Sequence, residues 1–439
     1  MLLFFYNLLL PFALLISFPF YLRRMLKRGN YARNFGQRFG LYSKSLRARF
    51  AEGKWTWIRA VSVGEVGMAV RLLQELKKQD PTLRALISTT TSTGYLLGLR
   101  QAENQGWIEV IYSPIDFLPI VKRCWNRIRP RAAILIDSDL WPSFLAVAKG
   151  SRAPIFLANA RLSQRSEKRY RLLRRVTQPL LWDHVTTLFA QDEVDAQRWT
   201  QTGVSPDRII VTGSMKYDTE DFVSESNPRF VQWLEERGIN GARPVLLGGS
   251  LHPGEEELLL SCFKLLRSEF PDLFLILVPR HAERSPEIAK LLEKEGIAFV
   301  LRSALQVGKS ASVLVVNSTG ELKDWYQTAT VVVIGKSFCG IGGQNPVEPI
   351  LANKPVIVGP HMENFQFLVD ELRKGGGIIQ LETGERLVAT IADLLRNPVH
   401  ATMLVERAAK ALAFHKGSIR RTASLILAWK SRTDGGNGR

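Results

Sequence analysis

Cysteine and histidine are scarce in this chain, and what there is stands in the wrong places for metal or disulfide chemistry. The 439 residues hold three cysteines, Cys124, Cys262 and Cys339, far apart and without ligand spacing. That excludes a disulfide framework or a thiolate zinc site and fits a reducing compartment, with the thiols as inert core residues. His184, His361, His400 and His415 lack ligand spacing too. No low-complexity tract or short-period repeat is present, which excludes a disordered chain and a solenoid. Acidic residues are the other shortage: 41 Asp and Glu face 59 Lys and Arg, for a net charge of +18 and a pI near 10.0. Such a balance favours polyanionic partners: nucleic acid, an anionic membrane surface or phosphorylated substrates. No RRM, zinc-finger or comparable recognition motif supports the first of these.

What is present starts with MLLFFYNLLLPFALLISFPFYL, residues 1–22, which carry no charge and run into RRMLKRG. The length can cross or deeply enter a bilayer. A secretory signal puts positive charge before its apolar run, whereas here Arg23, Arg24, Lys27 and Arg28 follow it. The segment therefore reads as an uncleaved anchor with the body on the cytoplasmic side. Pro11 and Pro19 interrupt helix continuity, so a tilted or re-entrant anchor stands beside a full span.

From Trp55 onward short β-rich runs alternate with amphipathic stretches: WTWIRAV, RALISTT, IEVIYSP, RAAILID, APIFLAN, TTLFAQD and RIIVTG. This is the pattern of βαβ units around a parallel sheet. It lapses around GSMKYDTEDFVSESNPRF and restarts at RPVLLGGS, FLILVPR, IAFVLR, SVLVVN, ATVVVIG and KPVIVGP. The expected organisation is an anchor over 1–28, an α/β domain over 29–218, a linker over 219–243, a second α/β domain over 244–405, and C-terminal helices with a frayed tail over 406–439. Two doubly wound Rossmann-like domains facing a central cleft follow, with ligands outside the carboxyl ends of the strands.

The turns at those ends carry the candidate chemistry. SVGE places Glu65 where a strand gives way to a helix, as a general base or as a helix-start carboxylate facing the macrodipole. ILIDSDLWP ends a strand with Asp137 and Asp139. Alternation along a strand would put both on one side, suiting a divalent metal or a carboxylate pair, and the plainer reading is a cap at Asp139 with Pro142 in the first turn. In the second half, GGSLHPGEEE and the glycine-rich GIGGQNPVEP, which is not a Walker loop, offer backbone amides to an anion. PRHAER adds Arg280 and Arg284, two guanidinium groups suited to phosphate.

In order and spacing, YARNFGQRFGLY, SVGE, TTTSTG, DLWP, NARLSQRS, GSMKYD, LHPGEE, PRHAER, GEL followed by WY, GGQNPVEP and GPHMENF resemble the bacterial Kdo transferases along nearly the whole chain. Members of that family move 3-deoxy-D-manno-oct-2-ulosonic acid (Kdo) from CMP-Kdo to a lipid A precursor in lipopolysaccharide core biosynthesis. The resemblance implies a GT-B fold anchored at the cytoplasmic face of the inner membrane, an inverting and metal-independent transfer, and no cofactor beyond the CMP-Kdo donor substrate. It makes Glu65 the general base, with Asp137 and Asp139 as further catalytic carboxylates. It assigns Ser250, His252, Pro279, Arg280, Gly320, Glu321, Gly343, Asn345 and Glu348 to the donor, with Lys216 beside the leaving phosphate. Glu348 serves equally as a helix-start carboxylate. Arg161 and Arg165, with Arg33 and Arg38, are assigned to the phosphorylated acceptor or the membrane surface, against the reading of a solvated basic face. Two departures stand out: Asp137-Ser138-Asp139 replaces the usual E-T-E, and Leu251 replaces a threonine. The alternatives are a GT-B enzyme using another nucleotide sugar and, from a different class, a basic nucleic-acid-binding protein.

Overall fold

The computed structural model describes residues 1–28, 34–103, 105–218, 228–236, 243–303 and 311–434. Arg33 and the last five residues of the tail lie outside them. Two compact units emerge, one formed by residues 1–218 and 415–439, the other by 219–414.

The first unit is built on a wholly parallel sheet. Its strands are β1 Trp55–Arg59, β2 Arg84–Thr89, β3 Ile108–Tyr112, β4 Pro130–Ile136, β5 Ile155–Ala160, β6 Thr187–Ala190 and β7 Ile209–Val211, in the order β3-β2-β1-β4-β5-β6-β7. All five residues of β1 are buried, as both-faced coverage by crossover helices requires. Alternation along the strand sends Trp57 into one layer and Ile58 into the other. Trp57 meets the Phe144 ring at 5.0 Å and stacks on Trp125 at 5.8 Å. Ile58 joins Val66, Leu72 and Leu73 from the helix Val63–Gln79.

The chain returns to this sheet at its end. Ile419, Ala423 and Ile426 of the helix Ser418–Asp434 complete the second layer, and Trp429 packs edge-on against Phe156 at 5.7 Å. Asp218, 2% exposed, holds the start of that helix: it accepts from the amides of Gly417 (2.9 Å) and Ile419 (2.7 Å) and from the Ser418 hydroxyl (3.2 Å). The units therefore part at 414/415, whereas 405/406 was expected. The expected position falls inside the helix Pro398–Ala413, whose Leu404 belongs to the second core.

The second unit repeats the plan with β8 Val245–Leu251, β9 Phe274–Pro279, β10 Phe299–Leu301, β11 Val313–Val315, β12 Val331–Ile334, β13 Val356–Val358 and β14 Ile379–Gln380. Their order is β10-β11-β9-β8-β12-β13-β14, again all parallel. Gly335, just after β12, has to be a glycine: a Cβ there would sit 2.2 Å from the carbonyl oxygen of Ser250. Within the expected linker the chain forms a helix, Pro228–Glu235. Cys124 and Cys262 are buried, but Cys339 is exposed and is not a core residue.

The N-terminal segment is one helix, Leu2–Arg28, continuous through Pro11 and Pro19. Each proline removes a single main-chain bond, and the leucine- and phenylalanine-rich flanks retain the helical path. Its stretch Leu2–Phe20, with mean hydropathy 2.0, is long and apolar enough to cross a membrane.

The Asp218 cap makes a stability prediction. Asp218→Ala leaves two amides unsatisfied in a buried setting and should lower unfolding stability by about 1–3 kcal/mol. Denaturant titration of the full chain measures it, and an unchanged midpoint would contradict the role given to this carboxylate.

Candidate functional site

In each sheet the strand order reverses beside the first strand, between β1 and β4 and between β8 and β12. At such a point successive connections leave to opposite faces and open a crevice at the carboxyl edge. The sequence-predicted residues fall largely at these two edges, and each unit is taken in turn.

In the first unit, Ser62 caps the helix Val63–Gln79 and accepts from the Glu65 amide at 3.3 Å. The Glu65 carboxylate folds back, accepting from the Val61 amide at 2.7 Å and the Ser62 hydroxyl at 2.9 Å. This is a variant of the capping box in which the carboxylate takes the amide one residue before the cap, so Glu65 lies in the first helical turn and the helix-start reading applies to it. Burial raises its pKa above the usual carboxylate range, and the neighbouring Asp137 and Asp139 charges push the same way, against the Val61 and Ser62 bonds. A helix start by itself holds a carboxylate down and weakens it as a base; here desolvation outweighs that.

Asp137 and Asp139 follow β4 but do not continue it. Asp137 is left-handed (φ 60°), which ends the alternation and turns the two side chains to different partners. Asp137 accepts from Asn159 Nδ2 at 2.5 Å. Burial pushes its pKa up, opposed by that bond and by the Lys216 and Arg161 charges. Asp139 pairs with Arg59 Nε at 3.1 Å, their side chains 7% and 2% exposed, and also takes a hydrogen bond from the Trp141 indole. The cap expected from Asp139 is supplied from elsewhere: Trp141 precedes the helix Pro142–Gly150, and Asp116 accepts from the Ser143 and Phe144 amides, both at 2.9 Å.

Lys216, in the short turn Met215–Tyr217, belongs to this unit and shares the Asp137 environment with Arg161. Its ammonium is pulled below the usual lysine range by desolvation and then by the Arg161 charge, against Asp137. Arg165 is exposed on the helix Gln164–Leu172. Arg38 packs into the unit, donating to the Thr90 carbonyl at 2.7 Å and lying 4.4 Å from the Tyr112 ring centroid.

In the second unit the turns after β8, β9 and β12 meet. Ser250 is left-handed (φ 56°) at the end of β8, and the Arg280 amide, after Pro279, donates to the Leu251 carbonyl at 2.9 Å. His252 contacts the Gln344 amide group at 3.2 Å. Desolvation lowers its pKa, joined by the nearby Lys336, His281 and Arg280 charges and opposed by Glu255. This cationic group is smaller than expected, because Arg284 pairs with Glu256 at 2.5 Å and 3.4 Å.

The glycine-rich loop also differs from expectation. The Gly342 amide donates to Glu363 at 2.6 Å and the Gly343 amide to the Lys336 carbonyl at 3.1 Å. The helix that follows, Val347–Leu351, has five residues, too few for a sizeable macrodipole. Asn345 turns inward, its Oδ1 capping the Val347 amide at 3.1 Å and its Nδ2 reaching Glu348 at 3.5 Å. Burial raises the Glu348 pKa. Glu321, after the left-handed Gly320 (φ 87°), accepts from Arg302 at 3.2 and 3.4 Å and from Ser318 at 2.5 Å. Its carboxylate is satisfied within the unit.

Sequence reasoning missed four residues at these edges. Arg59 looks like the polar end of a strand, Asn159 stands inside the quoted NARLSQRS, and Lys336 sits in a Gly-Lys-Ser triplet just before the glycine loop. The fourth, Glu255, is 2% exposed and accepts from the amides of His252 (2.9 Å), Lys336 (2.6 Å), Ser337 (2.9 Å) and Phe338 (3.1 Å). It joins the turn after β8 to the turn after β12.

Residues 33–219 match the family described as 3-Deoxy-D-manno-octulosonic-acid transferase (kdotransferase). The chain is 31% identical over 382 residues to a 3-deoxy-D-manno-octulosonic acid transferase of Bordetella pertussis, covering 85% of this chain and 87% of the relative. It is 28% identical over 412 residues to one of Haemophilus influenzae, covering 93% and 94%. A solved UDP-GlcNAc 2-epimerase from Neisseria meningitidis, bound to UDP-GlcNAc, is similar at 15% identity with a TM-score of 0.56, over 85% of this chain and 100% of that one. That likeness shows the two-unit α/β fold alone.

Glu255 gives the prediction here. Glu255→Ala strips four amides of their acceptor, which should cost about 3 kcal/mol or more in local stability. Hydrogen exchange should show protection lost over residues 336–338; unchanged protection there would contradict the arrangement.

Proposed function

This chain belongs to the 3-deoxy-D-manno-octulosonic acid (Kdo) transferase family, and on that premise we propose that it moves Kdo from CMP-Kdo to a lipid A precursor, with Glu65 as the base. The observation that carries this reading is the convergence of Glu65, Asp137 and Asp139 where the strand order of the first unit reverses.

A sugar hydroxyl is a weak nucleophile until its proton leaves, and a positioned carboxylate contributes roughly 10²–10⁴-fold by taking it. The raised pKa of Glu65 strengthens it for that task. Arg59 offsets the Asp139 charge, so Glu65 can ionise without facing two uncompensated carboxylates. Arg161 and Lys216 repel one another, and an anionic group between them relieves that repulsion; we assign them the acceptor phosphate. Arg280, Lys336 and His252 take the donor phosphate, stabilising the charge that gathers on CMP as the ketosidic bond breaks. The displacement inverts the anomeric centre. With Asp137 bonded to Asn159 and Asp139 to Arg59, both carboxylates have protein partners in place of a metal ion, and the transfer proceeds without a metal.

Incubating the purified chain with CMP-Kdo and tetraacylated lipid A precursor, and reading product mass, tests the reading; absence of a Kdo adduct rejects it. CMP should raise the melting temperature where UDP does not. Turnover should persist in EDTA.

Glu65→Gln should lower kcat by roughly 10²–10⁴-fold, and undiminished turnover in that variant would remove the base. The pH profile follows from the sign of the shift. The active form is the ionised carboxylate, present above its pKa and lost as pH falls through it, so the acid limb should lie above the ordinary glutamate value of about 4.3. A limb at the ordinary value would contradict the desolvated site. Arg161→Ala should raise KM for the acceptor, and Arg280→Ala for the donor, each by roughly 10–100-fold.

A further inference from the structure

The geometry points to a membrane contact made from one side only: the apolar N-terminal helix lies along the lipid surface, docked by its polar residues on the first unit, and the exposed segment Arg171–Val176 forms a second contact with anionic lipid. This deepens the membrane side of the proposed function, and its test reads topology and lipid binding rather than turnover.

Tyr6 and Asn7 interrupt an otherwise apolar run, and both point into the body. The Tyr6 hydroxyl donates to Asp116 Oδ2 at 3.0 Å. Asn7 Nδ2 donates to Ser143 Oγ at 3.1 Å, and its Oδ1 accepts from the Leu118 amide at 2.7 Å. Leu2, Leu3, Tyr6, Asn7 and Leu10 form the partly covered face, whereas Phe4, Phe5, Leu8, Leu9, Phe12, Leu15 and Ile16 are exposed. The other end of the segment is tied down as well, since Asn34 donates to the Tyr95 hydroxyl at 2.9 Å.

A crossing helix would have to separate these two ends. At ~1.5 Å per residue, Tyr6 lies about 33 Å along the axis from Arg28, more than the ~30 Å of hydrocarbon. Tyr6 would then sit near the far leaflet while bonded to Asp116 of a highly charged globular unit. Desolvating that unit in hydrocarbon is prohibitive. Both ends therefore stay on one side, and the outward phenylalanines, leucines and isoleucine enter a single leaflet.

The helices Pro142–Gly150 and Arg174–Leu180 pack beside this segment. On the second of these and the turn before it, Leu172 is 85% exposed, Leu173 45% and Val176 40%. Exposed Arg171, Arg174 and Arg175 interleave with them, and Arg165, Lys168 and Arg169 lie one to two turns earlier. Aliphatic side chains for the acyl boundary, rimmed by guanidinium groups for headgroup phosphates, fit an anionic bilayer surface and extend the face begun by the anchor.

Two measurements on the full-length chain test this. An N-terminal epitope tag, probed with protease in intact spheroplasts and inside-out vesicles, should become accessible together with the C-terminal body; a tag cleaved only from the opposite side overturns the in-plane helix. A Leu172→Glu, Leu173→Glu double variant, folded by circular dichroism, should bind phosphatidylglycerol vesicles roughly tenfold or more weakly in co-flotation. Unchanged flotation overturns the second contact. Loss of self-association in detergent with flotation unchanged would give the face to a second copy of the chain instead.

Discussion

The parting of the chain between β1 and β4 determines what the first unit can do chemically. Parallel pairing places the ends of these two strands side by side, while the connections that follow them leave toward opposite faces. The gap can hold a small polar group without breaking a ladder. Three carboxylates gather there, and three anions in a half-buried setting would repel one another. Arg59, beneath them on β1, pairs with Asp139; the Lys216 and Arg161 charges act on Asp137. Glu65 is left with two hydrogen bonds and, among the described residues, no ion-pair partner. Burial raises the proton affinity of both Glu65 and Asp137, but nearby cations oppose the rise only at Asp137.

The second unit solves the opposite problem at the equivalent edge. Its turns are lined with backbone amides, and an open array of amides would attract water or a passing anion. One carboxylate, Glu255, satisfies four of them and fixes two turns to one another. Positive charge at this edge is then left to side chains, Arg280 and Lys336, around a His252 kept toward its neutral form. The carboxylate cluster thus belongs to one unit, and this cationic group to the other.

Much of this was legible before any coordinates. WTWIR, ALIST and FLILVP read as strands because buried parallel strands are apolar on both faces, and the turns after them read as sites because that edge is where α/β sheets bind ligands. The illegible part is tertiary. An amide in GIGGQNP is free or occupied according to Glu363, about twenty residues away, and the cap expected from Asp139 comes from Asp116. Arg284 looked as available as Arg280 until Glu256 approached it. The last helix has an apolar face, but such a face does not name the sheet it covers. Tyr6 and Asn7 were a visible signal: two polar residues in a lipid-length run need a partner, and only the fold supplies Asp116 and Ser143.

The aspartates that depart from the family pattern follow from the same geometry. Asp139 meets the Nε of an arginine that is itself fixed, its guanidinium 4.8 Å from the Phe144 ring centroid and its shaft buried in β1. A glutamate would carry the carboxylate one methylene farther, into an ion pair whose side chains are already nearly buried, and overpacking of that kind costs roughly 1–3 kcal/mol. Breaking such a buried pair by removing one partner costs more, about 3–5 kcal/mol. Arg59 and the short acid therefore work as a matched pair. At position 137 the left-handed backbone brings the Cβ toward Asn159, and the short side chain spans the remaining distance at 2.5 Å. The lost methylenes are thus absorbed by an arginine on one side and an asparagine on the other, and the carboxylates stay beside Glu65.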